Sequence, residues 1–208
     1  ILERYHAIFG RVNYNLMDRY LLNLTFRRDG SSRFGPGKQW GNFGAVGAAW
    51  LFSEEPFMKA VHPWLSMGKV RASYGVTGSD QIGDYGYMDT YAAAGSYLTP
   101  GIRPTRLANS QYGWEENRKL EIGIETSFMG GRLNADISYY RNRSGSQLIG
   151  YQLPDITGFP SVQANFPATV QNSGYEFEFE ALAVSSKELT WQITANLTLP
   201  YNQLLSFR

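Results

Sequence analysis

A chain of 208 residues with a net charge of only +1 offers no dedicated nucleic-acid surface, and without cysteine it has neither a disulfide framework nor a thiolate metal site. No run of about 18 apolar residues occurs, which excludes a membrane-spanning helix. The mean hydropathy of -0.34 looks soluble in bulk, yet a transmembrane strand dilutes its apolar signal to every second position. The 15% aromatic content and 22 glycines favour strands, interfacial belts and turns.

Period-two alternation predicts about eight strands. The first covers roughly Tyr5 to Leu16, with Ile8, Val12, Tyr14 and Leu16 on one face and Arg11, Asn13 and Asn15 on the other. Met17-Asp18-Arg19 turns tightly into the second, where Tyr20, Leu22, Leu24 and Phe26 alternate with Leu21, Asn23, Thr25 and Arg27. After a loop from Asp29 to Gln39, the third strand runs near Trp40 to Phe52, opposing Val46, Ala48 and Trp50 to the small residues Ala45, Gly47 and Ala49. Ser53 to Leu65 is a medium connection with room for one short helical turn after Glu54-Glu55. The fourth strand spans about Gly68 to Thr77, with Lys69, Arg71 and Ser73 opposite Val70, Ala72 and Tyr74.

Gly78 to about Tyr112 has little periodicity and is expected to be a long loop, a length that signals function or disorder. The fifth strand, about Trp114 to Phe128, sets Leu120, Ile122 and Ile124 against Lys119, Glu121 and Glu125. Gly130-Gly131 leads into the sixth, where Leu133, Ala135, Ile137 and Tyr139 oppose Asn134, Asp136 and Ser138. A second long loop is expected from about Asn142 to Val170. The seventh strand alternates Tyr175, Phe177, Phe179 and Ala181 with Glu176, Glu178 and Glu180. Ser185 to Glu188 turns into the eighth, which carries Trp191, Ile193, Ala195, Leu197 and Leu199 on its apolar face.

The connections sort by length. In order they run tight, long, medium, very long, tight, long and tight, so the long loops gather at one end of the sheet. Outer-membrane barrels have this asymmetry, and a soluble sandwich has no physical reason for it. Alternation alone fits both, since the charged face meets solvent in a sandwich and lines a wet lumen in a barrel. Loop sorting and aromatic strand ends favour the barrel. The medium connection on the tight side is a blemish in the pattern.

Tyr14 to Gly35, YNLMDRYLLNLTFRRDGSSRFG, resembles the barrel of the SusC/RagA-like TonB-dependent transporters. The likeness continues through Trp40 to Trp50, Phe57-Met58-Lys59, Trp64-Leu65, the run KVRASYGVTG from Lys69 to Gly78, Trp114-Glu115, Tyr139-Tyr140-Arg141, Thr157-Gly158-Phe159 and NSGYEFE from Asn172 to Glu178. RDGSSRFG and KVRASYGVTG are its specific motifs. The resemblance implies an all-β fold: about eight antiparallel transmembrane strands of a barrel of about 22, with short periplasmic turns and long extracellular loops. It implies a protein of the outer membrane of a Gram-negative bacterium, in contact with its lipid, that imports oligosaccharides, or peptides in some members. It implies a SusD-like lipoprotein over the external mouth and energy relayed by TonB through a plug region. Plug and TonB-contacting segment have no counterpart here, so residues 1–208 read as a single interior slice of the barrel, cut at Ile1 and at Phe207-Arg208. The competing readings are a self-contained eight-stranded membrane barrel with a structural or adhesion role and a soluble β-sandwich binding module.

No catalytic constellation occurs, and an enzyme is not expected. His6 and His62 lack metal-ligand spacing, so no metal and no cofactor is expected. Asp29, Ser31, Ser32 and Arg33 read as an external hairpin turn, and Glu176, Glu178 and Glu180 as a solvated lumen wall whose charge Lys69 and Arg71 offset. The ligand-contact candidates are Tyr85, Tyr87, Tyr91, Tyr97, Tyr112 and Trp114, because aromatic faces stack on sugar rings and fill side-chain pockets. The same rings suit an interface with a lid protein or the packing of the loop itself.

Overall fold

Eight alternating strands can share one apolar surface only if their registers agree, since a one-residue slip sends every side chain to the other face. The computed structural model describes residues 3–59, 61, 63–95 and 101–207. It contains β1 (Tyr5–Leu16), β2 (Tyr20–Ser31), β3 (Trp40–Trp50), β4 (Leu65–Ser79), β5 (Thr90–Ala94), β6 (Gly101–Arg106), β7 (Glu115–Phe128), β8 (Leu133–Gln152), β9 (Ser161–Ser185) and β10 (Thr190–Phe207). All but β5 and β6 form one antiparallel sheet in chain order, and β5 pairs with β6 as a separate hairpin.

The registers do agree. One row runs Leu16, Tyr20, Trp50, Val70, Ile124, Ile137, Phe177, Leu197 across all eight strands. The next runs Tyr14, Leu22, Ala48, Ala72, Ile122, Tyr139, Tyr175, Leu199. On the opposite face the same strands align Lys69, Glu125, Asp136, Glu178 and Asn196. No second sheet covers the apolar rows among the described residues: Leu24 is 42% exposed and Leu197 55%. A sandwich would have buried them. β1 pairs only with β2 and β10 only with β9, so the sheet is an open wall. The fold is therefore a segment of a transmembrane β-barrel larger than eight strands, with its apolar face toward lipid.

Two predicted loops contain regular structure. The β5–β6 hairpin lies inside the stretch expected to be aperiodic, on strands of only five and six residues. The expected loop from Asn142 to Val170 is mostly strand. β8 has 20 residues and β9 has 25, twice what a tilted crossing of about 9–11 residues requires, so the pair projects beyond the bilayer. A register shift between Gly145 and Gln147, with Ser146 at φ 55°, marks where the hairpin leaves the wall. Beyond that point β8 loses its alternation, while β9 keeps one, Val162, Ala164, Phe166, Ala168 and Val170 against Ser161, Gln163, Asn165 and Thr169, on the parity opposite to that of Tyr175, Phe177 and Phe179.

At the short-turn end, Met17 and Asp18 both take positive φ, matching the strand twist in a tight hairpin. The medium connection is ordered. It holds two 3₁₀ turns, Phe52–Glu54 and Pro56–Met58, one on each side of Glu55. Phe52 lies over Gly68, where a Cβ would collide with the ring. Glu55 is buried and accepts hydrogen bonds from the Tyr20 hydroxyl and, at 3.1 Å, from Trp50 Nε1, with Arg19 Nη1 at 3.6 Å. Tyr20, Trp50 and Gly68 share the lipid-facing parity, so the connection wraps the outer rim of the wall.

Two outcomes follow. Leu24 sits midway along the apolar face of β2, so Leu24→Arg in the full-length protein is expected to cost about 2–4 kcal/mol in bilayers, whereas Asn134→Arg on the lumen face costs far less. Unfolding in liposomes measures both. The Tyr20 hydroxyl, then the Trp50 indole and the Arg19 charge, hold the Glu55 carboxyl below its usual range. A depressed carboxylate stabilises fully above the unfolded pKa of about 4.3 and loses that contribution as pH falls through the lower folded value. Docking of the connection, followed by pH titration of tryptophan fluorescence, is expected to weaken below that range in the wild type and to lose this dependence in Glu55→Gln.

Candidate ligand-facing surface at the long-loop end

The loops at the long-connection end have their own small core. Phe34, from the RDGSSRFG stretch, has no exposed surface, and Tyr112 is 2% exposed. Their ring centroids lie 6.1 Å apart, and Phe34 lies 5.0 Å from Trp114, which stands 5.4 Å from Phe43. Glycines make the space: the Phe43 ring covers Gly41 and Gly78, and Tyr87 lies against Gly35. Trp114 donates Nε1–H to the carbonyl of Gln39 at 3.2 Å. Burial pushes the Tyr112 hydroxyl above its ordinary pKa, against the opposing charge of Arg106.

Polar side chains stitch the loops together. Arg33 donates to Asp84 at 3.1 Å and to the Asp80 carbonyl at 3.0 Å, and pairs with Glu3 at 3.1 Å. It thus ties the β2–β3 loop to the longest loop. Asp29 is buried and takes both contacts from Arg27 Nε at 2.7 Å. Asn165 of β9 bonds both the N–H and the carbonyl of Gly113 at 2.8 Å, acting as a one-residue strand partner. Asn109 Nδ2 donates to the Gln163 carbonyl at 2.7 Å. The contacts of these two asparagines pin Asn109 and Gly113, at the end of the longest loop, to the projecting β8–β9 hairpin.

The six aromatic candidates are therefore distributed over different environments. Tyr112 and Trp114 join the inner cluster. Tyr85 and Tyr87 are half-buried at its margin, with centroids 6.4 Å apart. Tyr91 stands on β5 at 57% exposure, its hydroxyl donating to Asp89 at 2.9 Å. Tyr97 lies outside the described residues. Sequence reasoning missed Phe34 as the centre of the cluster, and Asn109 and Asn165 as the clamps. The motif around Phe34 marked the region, but a lone asparagine in a polar loop gives no signal.

Below the loops, the lumen face carries an ion-pair network. Glu125 and Asp136 stand opposite one another on adjacent strands, an arrangement that repels unless cations intervene. Arg71 Nε pairs with Glu125 at 2.8 Å, its Nη2 reaches Asp136 at 3.6 Å, and it also bonds Glu121. Lys69 Nζ lies 2.9 Å from Glu125. Both cations thus serve β7 and β8 rather than Glu176, Glu178 and Glu180, as the sequence had suggested. Glu180 takes side-chain amides from Asn134 and Gln192. Glu176 and Glu178 make no ion pair among the described residues and leave the short-turn half of the wall acidic.

A family model described as the β-barrel of TonB-dependent receptor-like proteins matches residues 3–206. The chain belongs to this TonB-dependent receptor family. TonB-dependent receptor P39 of Formosa agariphila is 34% identical over 200 residues, covering 96% of the chain and 19% of the relative. TonB-dependent receptor SusC of Bacteroides thetaiotaomicron is 31% identical over 206 residues, covering 95% and 20%. The chain thus spans about a fifth of the length of these curated relatives. The "open-open" RagAB peptide importer superposes with a TM-score of 0.89 at 23% identity, over 99% of this chain and 22% of that one. The ferripyoverdine receptor of Pseudomonas aeruginosa superposes at 0.59 and 17% identity, over 99% and 24%. The backbone of this segment thus superposes more closely on the RagAB importer than on the ferripyoverdine receptor.

Phe34→Ala removes the centre of the aromatic cluster and is expected to cost about 3–5 kcal/mol of local stability. Protease cleavage within 80–114 of the full-length protein in membranes checks this. Cleavage is expected to accelerate there while the transmembrane strands stay protected.

Proposed function

We propose that the chain forms part of the outer-membrane barrel wall of a TonB-dependent, SusC-like importer that takes up oligosaccharides or peptides with a SusD-like lipoprotein lid. The observation that carries this reading is the sorting of the molecule. An unbroken apolar face spans eight strands, and the long connections build an ordered aromatic and polar platform at one end. Kinship with SusC and structural likeness to the RagAB peptide importer support it. Ligand is captured between the platform and the lid, then passes along the polar lumen wall when a plug region elsewhere in the protein responds to TonB. No catalytic step is part of this reading.

Within the platform the roles divide by exposure. Tyr91, and Tyr85 and Tyr87 at the cluster margin, meet ligand or lid. Tyr112 and Trp114 hold the loop that presents them. A self-contained eight-stranded barrel would need β1 to close on β10, and neither strand has that partner.

Replacing residues 90–106 of the full-length transporter by a short Gly-Ser turn tests the reading. The barrel is expected to reach the outer membrane, while TonB-dependent uptake of the cognate nutrient falls on the order of tenfold. Uptake unchanged by the replacement would remove the platform from ligand capture. A soluble native protein would overturn the importer reading itself.

A further inference from the structure

The connection between β3 and β4 exposes its apolar side chains where the fold meets the membrane boundary. Phe57 is 67% exposed and Trp64 66%, with Val61 at 44%. Such exposure on an unstructured link would mean little, but the described residues of this link are held by turn hydrogen bonds. Successive turn hydrogen bonds run from Met58 N–H to the Glu55 carbonyl at 3.0 Å, from Val61 N–H to Met58 at 2.9 Å and from Trp64 N–H to Val61 at 2.9 Å. Met129 N–H, at the next short turn, donates to the Trp64 carbonyl at 2.9 Å. The link is fastened to the lipid-facing side of the wall, by Phe52 over Gly68 and by Glu55 on Tyr20 and Trp50. Its exposed rings therefore continue the apolar face at the level where the strands end.

We propose that residues 52–59, 61, 63 and 64 form an interfacial anchor that seats Phe57 and Trp64 among the headgroups and upper acyl chains of the phospholipid leaflet on the short-turn side. The inference rests on the transmembrane reading of the sheet. Its occupant is lipid because the patch is continuous with a face already committed to lipid. The amphipathic Trp64 indole favours the headgroup boundary, the wholly apolar Phe57 ring the upper acyl chains, and the exposed Lys59 between them suits contact with lipid phosphates. Of the link's two carboxylates, Glu55 is covered by the Tyr20 hydroxyl, the Trp50 indole and Arg19 and does not oppose insertion, while the exposed Glu54 stays on the water side of the boundary. Trp50 at 39% and Trp191 at 57% exposure lie on the lipid face near the same turns and complete an aromatic girdle.

Nitroxide labels test the proposal on the full-length protein in phospholipid vesicles, since this segment has no cysteine of its own. Single cysteines are placed at Phe57, Trp64, Leu24 and Ser186. Collision with oxygen, which concentrates in lipid, is compared with collision with a water-soluble nickel chelate. Labels at Phe57 and Trp64 are expected to favour oxygen over nickel at least threefold more than Ser186, and less than Leu24. Labels at 57 and 64 as open to nickel as Ser186 would overturn the anchor, placing the link in water. Labels shielded from both reagents would also overturn it, showing a protein neighbour or second copy in the place of lipid. If Leu24 itself fails to favour oxygen, the transmembrane reading falls first, so the two failures are distinguishable.

Discussion

In hydrocarbon no water is present to satisfy an open N–H or carbonyl, so each strand must find its partners in the neighbouring strands. That constraint fixes the register, and the register fixes everything else in this segment. With Leu16 opposite Tyr20 and Trp50 opposite Val70, the apolar side chains fall into rows without a gap. The polar side chains fall into rows on the other face by the same pairing. A slip of one residue on any strand would place Glu or Arg against lipid at a cost of several kcal/mol. The apolar face thus acts less as a core than as a gauge that admits one alignment.

The charged face shows the consequence. Register brings Glu125, Asp136 and Glu178 side by side, and Arg71 beside Gly123 has room to reach the first two. The hydrated lumen tolerates the carboxylates that remain. At the two rims, where the gauge no longer operates, other devices order the chain. Phe34, Tyr112 and Trp114 pack the long-loop end, and Glu55 with Phe52 fastens the link at the short-turn end. Each device uses a glycine to bring a ring close to backbone, Gly41 and Gly78 under Phe43 and Gly68 under Phe52.

The wall was legible because lipid enforces alternation. β1 matches its predicted span from Tyr5 to Leu16, and the faces of the wall strands fell as read except at Phe52, which leaves the third strand for a 3₁₀ turn. The regions above the membrane were less so. β8 loses its alternation beyond Gly145 in Gln147-Leu148-Ile149-Gly150-Tyr151, whereas Ser161 to Val170 of β9 does alternate, but with its apolar residues on the parity opposite to Tyr175 and Phe177, so one continuous apolar face does not announce it. The hairpin of β5 and β6 is too short to show a period. Tyr112 and Trp114 were visible as aromatics in a loop, but whether a ring points outward or inward depends on Phe34 and Asn165, which lie far away in sequence. Fold follows from local pattern here, whereas the platform follows from contacts between segments that the pattern does not connect.

These strands are a wall within a larger closed barrel. Hydrogen–deuterium exchange on the full-length protein in bilayers tests it most directly, through the amides of β1 and β10 that point away from β2 and β9. A continuous barrel pairs these edges with further strands, so they are expected to exchange as slowly as the amides of β3. Exchange of either edge at the rate of the loops would contradict closure, leaving an open sheet that hydrocarbon does not permit.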